Sequence, residues 1–218
     1  MPLSGQGMLI TAMDVDPERE RDFNLWYDKE HLVDRVILPG FIEARRYIAV
    51  QGGPRYLNYY TTDTFDVLTS EGYKTARKNH TPWGRQHVPH FRNGLRVTAR
   101  VAASLGQGRG GVNAFIRLRP GEGRQAALEQ LLRERCADVL PLDDIISAHL
   151  LIGQADDPGT PKAEATDWYL MLEGTEVESV AHAAQQHFGD STLQGLGLFV
   201  SCGVYRLQWD LGKWDLNP

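Results

Sequence analysis

Runs of strand length and stretches of helical spacing succeed one another along the chain, and the same succession occurs twice. The first apolar run is Met8 to Met13. Asp16-Pro17-Glu18 follows, and a proline near the first turn beside acidic residues predicts a helix start. That helix is expected to run to about Leu38, where Pro39-Gly40 stops it and Phe41 to Val50 returns as a strand. Gln51-Gly52-Gly53-Pro54 reads as a turn, and Tyr56 to Thr62, rich in aromatics and threonine, as the third strand. Helical spacing resumes from about Phe65 to His80 and breaks at Thr81-Pro82. Leu95, Val97, Ala99 and Val101 then alternate in a closing strand that ends near Leu105.

Gly106 to Gly111, the segment GQGRGG, has the composition of a linker. Beyond it the order repeats: strand Val112 to Leu118, helix Arg124 to Leu140, strands Ile145 to Ile152 and Asp167 to Leu172, helix Val177 to Phe188, strand Leu198 to Trp209. Pro39 to Arg45 aligns weakly with Asp143 to His149, and Asp156 to Glu164 reads as a longer polar loop of the second copy. The predicted fold class is α+β: two tandem ferredoxin-like βαββαβ units forming an intramolecular dimeric α/β barrel. The units span residues 1–106 and 111–218. A sheet with both helices on one face needs cover on the other, and the second copy supplies it as a facing sheet. Alternation along the strand from Phe41 puts Ile42, Ala44, Arg46 and Ile48 on one face and Glu43, Arg45 and Tyr47 on the other. The corresponding Ser147 and His149 imply either a hydrogen-bonded seam between the halves or a solvated sheet edge.

Composition narrows the function classes. With 42% hydrophobic and 23% charged residues the chain reads as a folded globular protein. A net charge of -5 and the lack of a Lys/Arg cluster argue against nucleic acid as a partner. No apolar run approaches a membrane span and no signal peptide is legible at MPLSGQG, so a cytoplasmic location is the expectation. Cys136 and Cys202 are expected as buried reduced thiols. GQGRGG and Gly121-Glu122-Gly123 lack the setting of a phosphate loop.

Trp26-Tyr27-Asp28-Lys29-Glu30-His31 is the richest stretch for chemistry. At 100° per residue, Leu25, Leu32 and Val36 share one side of the helix. Phe23, Trp26, Tyr27, Glu30, His31, Asp34 and Leu38 share the opposite side. Carboxylates and an imidazole among aromatics imply a polar pocket or a solvated rim. In the pocket reading His31 is a general acid or base, Asp34 or Glu30 orients its ring, and Tyr27 hydrogen-bonds the same substrate oxygen. Otherwise His31 and its acidic neighbours lie on the wet edge of an ordinary amphipathic helix.

The run Trp26 to Leu32, followed by Leu38-Pro39-Gly40-Phe41 and later Thr81-Pro82-Trp83, resembles the EthD-like family of dimeric α/β-barrel proteins. The resemblance covers Met8 to about Arg100. It nearly vanishes in the second half, where Gln130 stands in line with Trp26 and Arg135 with His31. The wider superfamily implies small-molecule chemistry in a pocket between sheet and helices, by isomerases, cyclases, cofactor-free monooxygenases and haem enzymes, several with a pocket histidine as proton carrier. The expectation is one working pocket per chain, in the first half.

Around it, His80 and Trp83 at the end of the second helix are candidate pocket residues, or simply a helix stop with a packing tryptophan. Arg45 and Arg46 lie on opposite faces of one strand, so only one can enter a given pocket. His80, His87 and His90 match no standard zinc spacing, and no metal is expected.

The expected activity is that of a cofactor-independent acid/base enzyme of the lyase, isomerase or cyclase type, acting on a small apolar carbonyl or aromatic-derived compound. His31, Tyr27 and Asp34 are the catalytic candidates. Trp26, Glu30, Arg45, Arg46, Tyr60, His80 and Trp83 are the candidates for substrate binding. The alternatives are a cofactor-free monooxygenase in the same pocket and a non-catalytic small-ligand-binding protein. No cofactor is expected. The partner is a small-molecule substrate, and two such chains can still pair as a homodimer.

Overall fold

The computed structural model describes residues 3–154 and 166–216, so the polar loop expected at Asp156 to Glu164 lies outside the described residues. Eight antiparallel strands close into a barrel: β1 (Gly7–Asp14), β2 (Phe41–Gln51), β3 (Tyr56–Thr62), β4 (Arg92–Gly106), β5 (Val112–Pro120), β6 (Ile145–Gln154), β7 (Trp168–Gly174) and β8 (Gly197–Gly212). Their order around the barrel is β1-β3-β2-β8-β5-β7-β6-β4. The first four strands thus run β4-β1-β3-β2 and the last four β8-β5-β7-β6, the same order twice. The halves also share a detail of register: β2 slips against β3 between Phe41 and Glu43, and β6 slips against β7 between Ile145 and Ser147.

The two sheets do not stack face to face as expected. They join edge to edge, β2 to β8 and β4 to β6, because closure leaves none of their edges unpaired along its shared length. Three cores result. The barrel interior is filled by side chains, among them Tyr47, Tyr59, Phe115, Tyr169 and Tyr205, with Phe115 and Tyr169 stacked at 5.4 Å. It is a packed core. The other two cores lie outside the barrel, where each half lays its helices on its own strands, joined by Leu211 of β8 in the first and Ala103 of β4 in the second.

The faces of β2 are those read from alternation. Ala44 and Arg46 turn outward to the helices, while Glu43, Arg45 and Tyr47 point into the barrel. Ser147 and His149 are inside as well, fully buried, so the seam reading holds and the solvated edge does not. Arg45 pairs with Glu173 at 2.7 Å and Glu43 at 3.2 Å, Ser147 reaches Glu173, and His149 lies 3.1 Å from both Ser104 and Ser147. The linker participates: Arg109 pairs with Glu43, and the Gly110 amide donates to Glu173 at 3.2 Å.

In the first half the helical layer consists of α1 (Pro17–Trp26), a π turn (Tyr27–His31), α2 (Leu32–Val36), a 3-10 turn (Phe65–Thr69), α3 (Glu71–Lys78) and α4 (Gly84–His87). In the second it is α5 (Gln125–Asp138) and α6 (Val177–Phe188). Gly40, at φ +80, makes the turn that ends the α1–α2 stretch; a Cβ there would collide with Val67. Cys136 is buried, Cys202 only half-buried, and both are free.

The π turn corrects one expectation. A continuous α-helix would place Phe23, Trp26 and Tyr27 opposite Leu32 and Val36. All five are buried in the same core, and Leu25, expected beside Leu32, is 49% exposed. The wider turn takes up one extra residue, shifting the phase of the helix after it by about 100°. The aromatic stripe before it and the aliphatic stripe after it therefore both meet the sheet.

Candidate functional site

Between that first helical layer and the outer faces of β1, β3 and β4 lies a cavity of about 460 Å³. It exists because α3 is short and turns a single side chain, Tyr73, into the core, so the sheet is incompletely covered. In the second half, α6 lays Val177, Val180, Ala183, Ala184 and Phe188 over the corresponding strands, and the cavity beside them is about 190 Å³.

Leu9 and Met13 of β1, with Val88, Phe91 and Leu95, form the apolar part of the wall. Tyr27 and His31 enter from the π turn, Arg35 from α2, Tyr60 from β3, Tyr73 and Arg77 from α3, with His80 beyond it and Arg96 on β4. The wall carries three arginines and no carboxylate. Gly94, the exposed residue on the rim, marks where the cavity meets solvent. A smaller cavity of about 210 Å³ adjoins it behind His31, Arg35 and His80, and there Asp34 and Trp26 reach the wall.

The His31 ring is held by aromatic contacts, 4.5 Å from Trp26 and 4.7 Å from Tyr27 between centroids. Its nitrogens make no hydrogen bond to another described residue and are left to the cavity. Burial, then the charges of Arg35, His80 and Arg46, hold its pKa well below the usual 6.5. The imidazole is therefore neutral at neutral pH and has a basic nitrogen to offer. Next to it the Tyr60 hydroxyl donates to the Tyr27 oxygen at 3.1 Å, and Thr11 is a second hydrogen-bond partner of the Tyr27 hydroxyl in the same wall. Burial raises the pKa of both phenols, and most strongly that of Tyr60, so both stay protonated.

Several expected site residues stand elsewhere. Neither carboxylate orients the His31 ring. Glu30 accepts from the Trp26 indole at 3.0 Å and from Thr81, because the π turn carries it away from the cavity toward α4. Asp34 faces the smaller cavity, where burial and then Glu30 raise its pKa. Trp26 backs His31 and stacks on His87 at 5.1 Å. Trp83 donates to Asp22 at 3.2 Å and lines neither cavity.

Both strand arginines are outside the site. Arg45 belongs to the barrel interior. Arg46, on the helix side, is fixed by Asp28 and Asn24 with its guanidinium against Phe23, Tyr27 and Tyr56 at 5.2, 4.7 and 5.0 Å, so it props the Tyr27 ring from outside the cavity. The basic group that does reach the cavity beside His31 is Arg35. Its signal was the four-residue spacing Tyr27, His31, Arg35, which follows one face of a helix. Among the described residues no three histidines, cysteines or carboxylates converge as metal ligands do. No helix among them is long and apolar enough to cross a membrane.

The fold is that of the dimeric α/β-barrel proteins. An anthrone oxidase-like protein superposes with a TM-score of 0.69 at 12% identity, over 98% of this chain and 96% of the other. A candidate monooxygenase from Lactobacillus acidophilus superposes at 0.64 and 7% identity, over 96% and 97%. A haem-binding protein from Thermus thermophilus gives 0.59 at 12% identity, over 98% and 94%. At such identities these likenesses concern the fold alone. No family model matches the sequence.

Proposed function

We propose that the chain is a pair of ferredoxin-like units in tandem, of which the first, EthD-like unit holds a working pocket for acid/base chemistry on a small, largely apolar carbonyl compound. The observation that carries this reading is the convergence of a neutral His31 and the Tyr27 hydroxyl on one cavity with a largely apolar wall. His31 takes a proton from a carbon acidified by the substrate carbonyl, directly or through conjugation. The C–H electron pair moves onto the carbonyl oxygen, which receives the Tyr27 hydrogen bond, strengthened by Tyr60. Return of the proton from His31 to a different carbon completes an isomerisation, and expulsion of a leaving group makes the reaction a lyase step. Asp34, across His31 in the smaller cavity, is a further proton acceptor. The pocket is complete within one chain, and a homodimer is compatible with it.

Anthrone is a suitable probe: its methylene lies across the central ring from the ketone and is acidified through the intervening aromatic carbons, so its deprotonation places the charge on the carbonyl oxygen. In D2O the protein should speed exchange of that methylene, and His31→Gln should cut the rate by roughly 100-fold or more, the usual share of a positioned base. Equal rates for the two proteins would sink the mechanism. The similarity to an anthrone oxidase-like protein favours a second outcome in the same pocket. There the carbanion adds dioxygen and the hydroperoxide loses water to leave a second carbonyl. Oxygen uptake matching anthrone consumption separates this oxygenase route from isomerisation.

A further inference from the structure

The cavity holds more positive charge than its own chemistry requires. Arg35 is 7% exposed, yet its guanidinium has no hydrogen bond or ion pair with another described residue. The two carboxylates of its own helical stretch are occupied otherwise, Glu30 by Trp26 and Thr81, and Asp34 in the smaller cavity without an ion pair to Arg35. A buried cation without a counter-charge is costly, and proteins rarely keep one unless a ligand completes it. Arg96 in the same wall donates to the Tyr73 hydroxyl at 3.1 Å, which fixes a second basic group at the cavity.

We propose that Arg35 is the recognition site for an anionic group of the ligand, and that the compound bound is a small apolar or aromatic molecule carrying a carboxylate. The carboxylate would pair with the planar guanidinium through two parallel hydrogen bonds. The ring would lie against Leu9, Met13 and Phe91, with its reacting carbon toward His31. This deepens the acid/base reading of the same cavity and rests on it for the role of the site. Arg35 supplies selection: a neutral analogue of the same shape leaves the cation buried and unpaired, so it binds more weakly.

The test compares 2-naphthoate with its neutral isostere 2-naphthamide by titration calorimetry at pH 7.5. The carboxylate should bind at least tenfold more tightly to the wild type. Arg35→Gln should erase that preference while still binding the amide, which shows that the cavity remains folded. Arg35→Lys, which keeps the charge and loses the planar fork, should retain part of it. Equal affinities in the wild type, a preference that survives Arg35→Gln, or no binding of either probe at millimolar concentration would each overturn the assignment. His31-dependent exchange of anthrone, which is neutral, is read on the wild type and needs no ion pair with Arg35. A failed naphthoate preference with that exchange intact therefore removes only the anion site.

Discussion

The two halves place helices on four strands in the same order, and they differ in what the helices put there. In the second half, α5 contributes Leu128, Leu132 and Cys136 and α6 five more side chains, and the space left beside Ala184 and Val204 is about 190 Å³. In the first half the π turn delivers Tyr27 and His31, α2 delivers Arg35, and α3 contributes Tyr73 alone, so the equivalent space is open and lined with polar groups. Gln130 and Arg135, which stand in line with Trp26 and His31, miss that interface altogether; Gln130 bonds Glu134 on the exposed side of α5. The first half keeps an open cavity lined with polar groups, and the second fills more of the equivalent space.

The sharpest way to break this division is to empty the better-filled half. Leu132→Ala removes a fully buried side chain from close packing and should cost about 2–5 kcal/mol in urea unfolding. A loss under about 1 kcal/mol would mean that the second interface is looser than its packing indicates.

A second effect belongs to the barrel interior that joins the halves. Burial, and after it the charge of Arg45, depress the pKa of His149 to about 3. An unfolded imidazole takes up a proton near 6.5, whereas the native one does not. His149 therefore favours unfolding progressively as pH falls from 6.5 toward 3, and its neutral form costs nothing above 6.5. Between pH 6.5 and 5 that amounts to about 2 kcal/mol. Denaturation at the two pH values should show the loss, and His149→Gln should reduce it. His31 acts with the same sign, so part of the acid sensitivity survives that substitution. An unchanged pH dependence in His149→Gln would show that the seam does not titrate in this way.

The smallest expected effect on stability lies in the open half. Tyr27→Phe removes one hydroxyl from a cavity wall and should cost about 1 kcal/mol or less, while slowing the His31-dependent exchange. A stability loss as large as that of Leu132→Ala would mean that Tyr27 is a core residue like any other.

Much of this was legible in advance. The strand runs, the Gly106–Gly111 joint and the faces of β2 depend on period-two alternation and turn chemistry, which are local. His31, Tyr27, Tyr60 and His80 all line the cavity. Glu30, Trp83, Arg45 and Arg46 went astray for one reason: the direction of a side chain off a regular element says nothing of what it meets. Glu30 meets Thr81, Trp83 meets Asp22, Arg46 meets Asp28 and Arg45 meets Glu173.

By itself the sequence determined the elements, their order and its repetition, because each depends on residues close along the chain. Only the tertiary structure decided that the sheets close edge to edge, that a π turn merges two stripes into one buried face, and that α3 leaves a cavity in which Arg35 has no ion-pair partner among the described residues. Those outcomes depend on volumes and charges brought together across the fold, and no local pattern records whether the space between two packed elements has been filled.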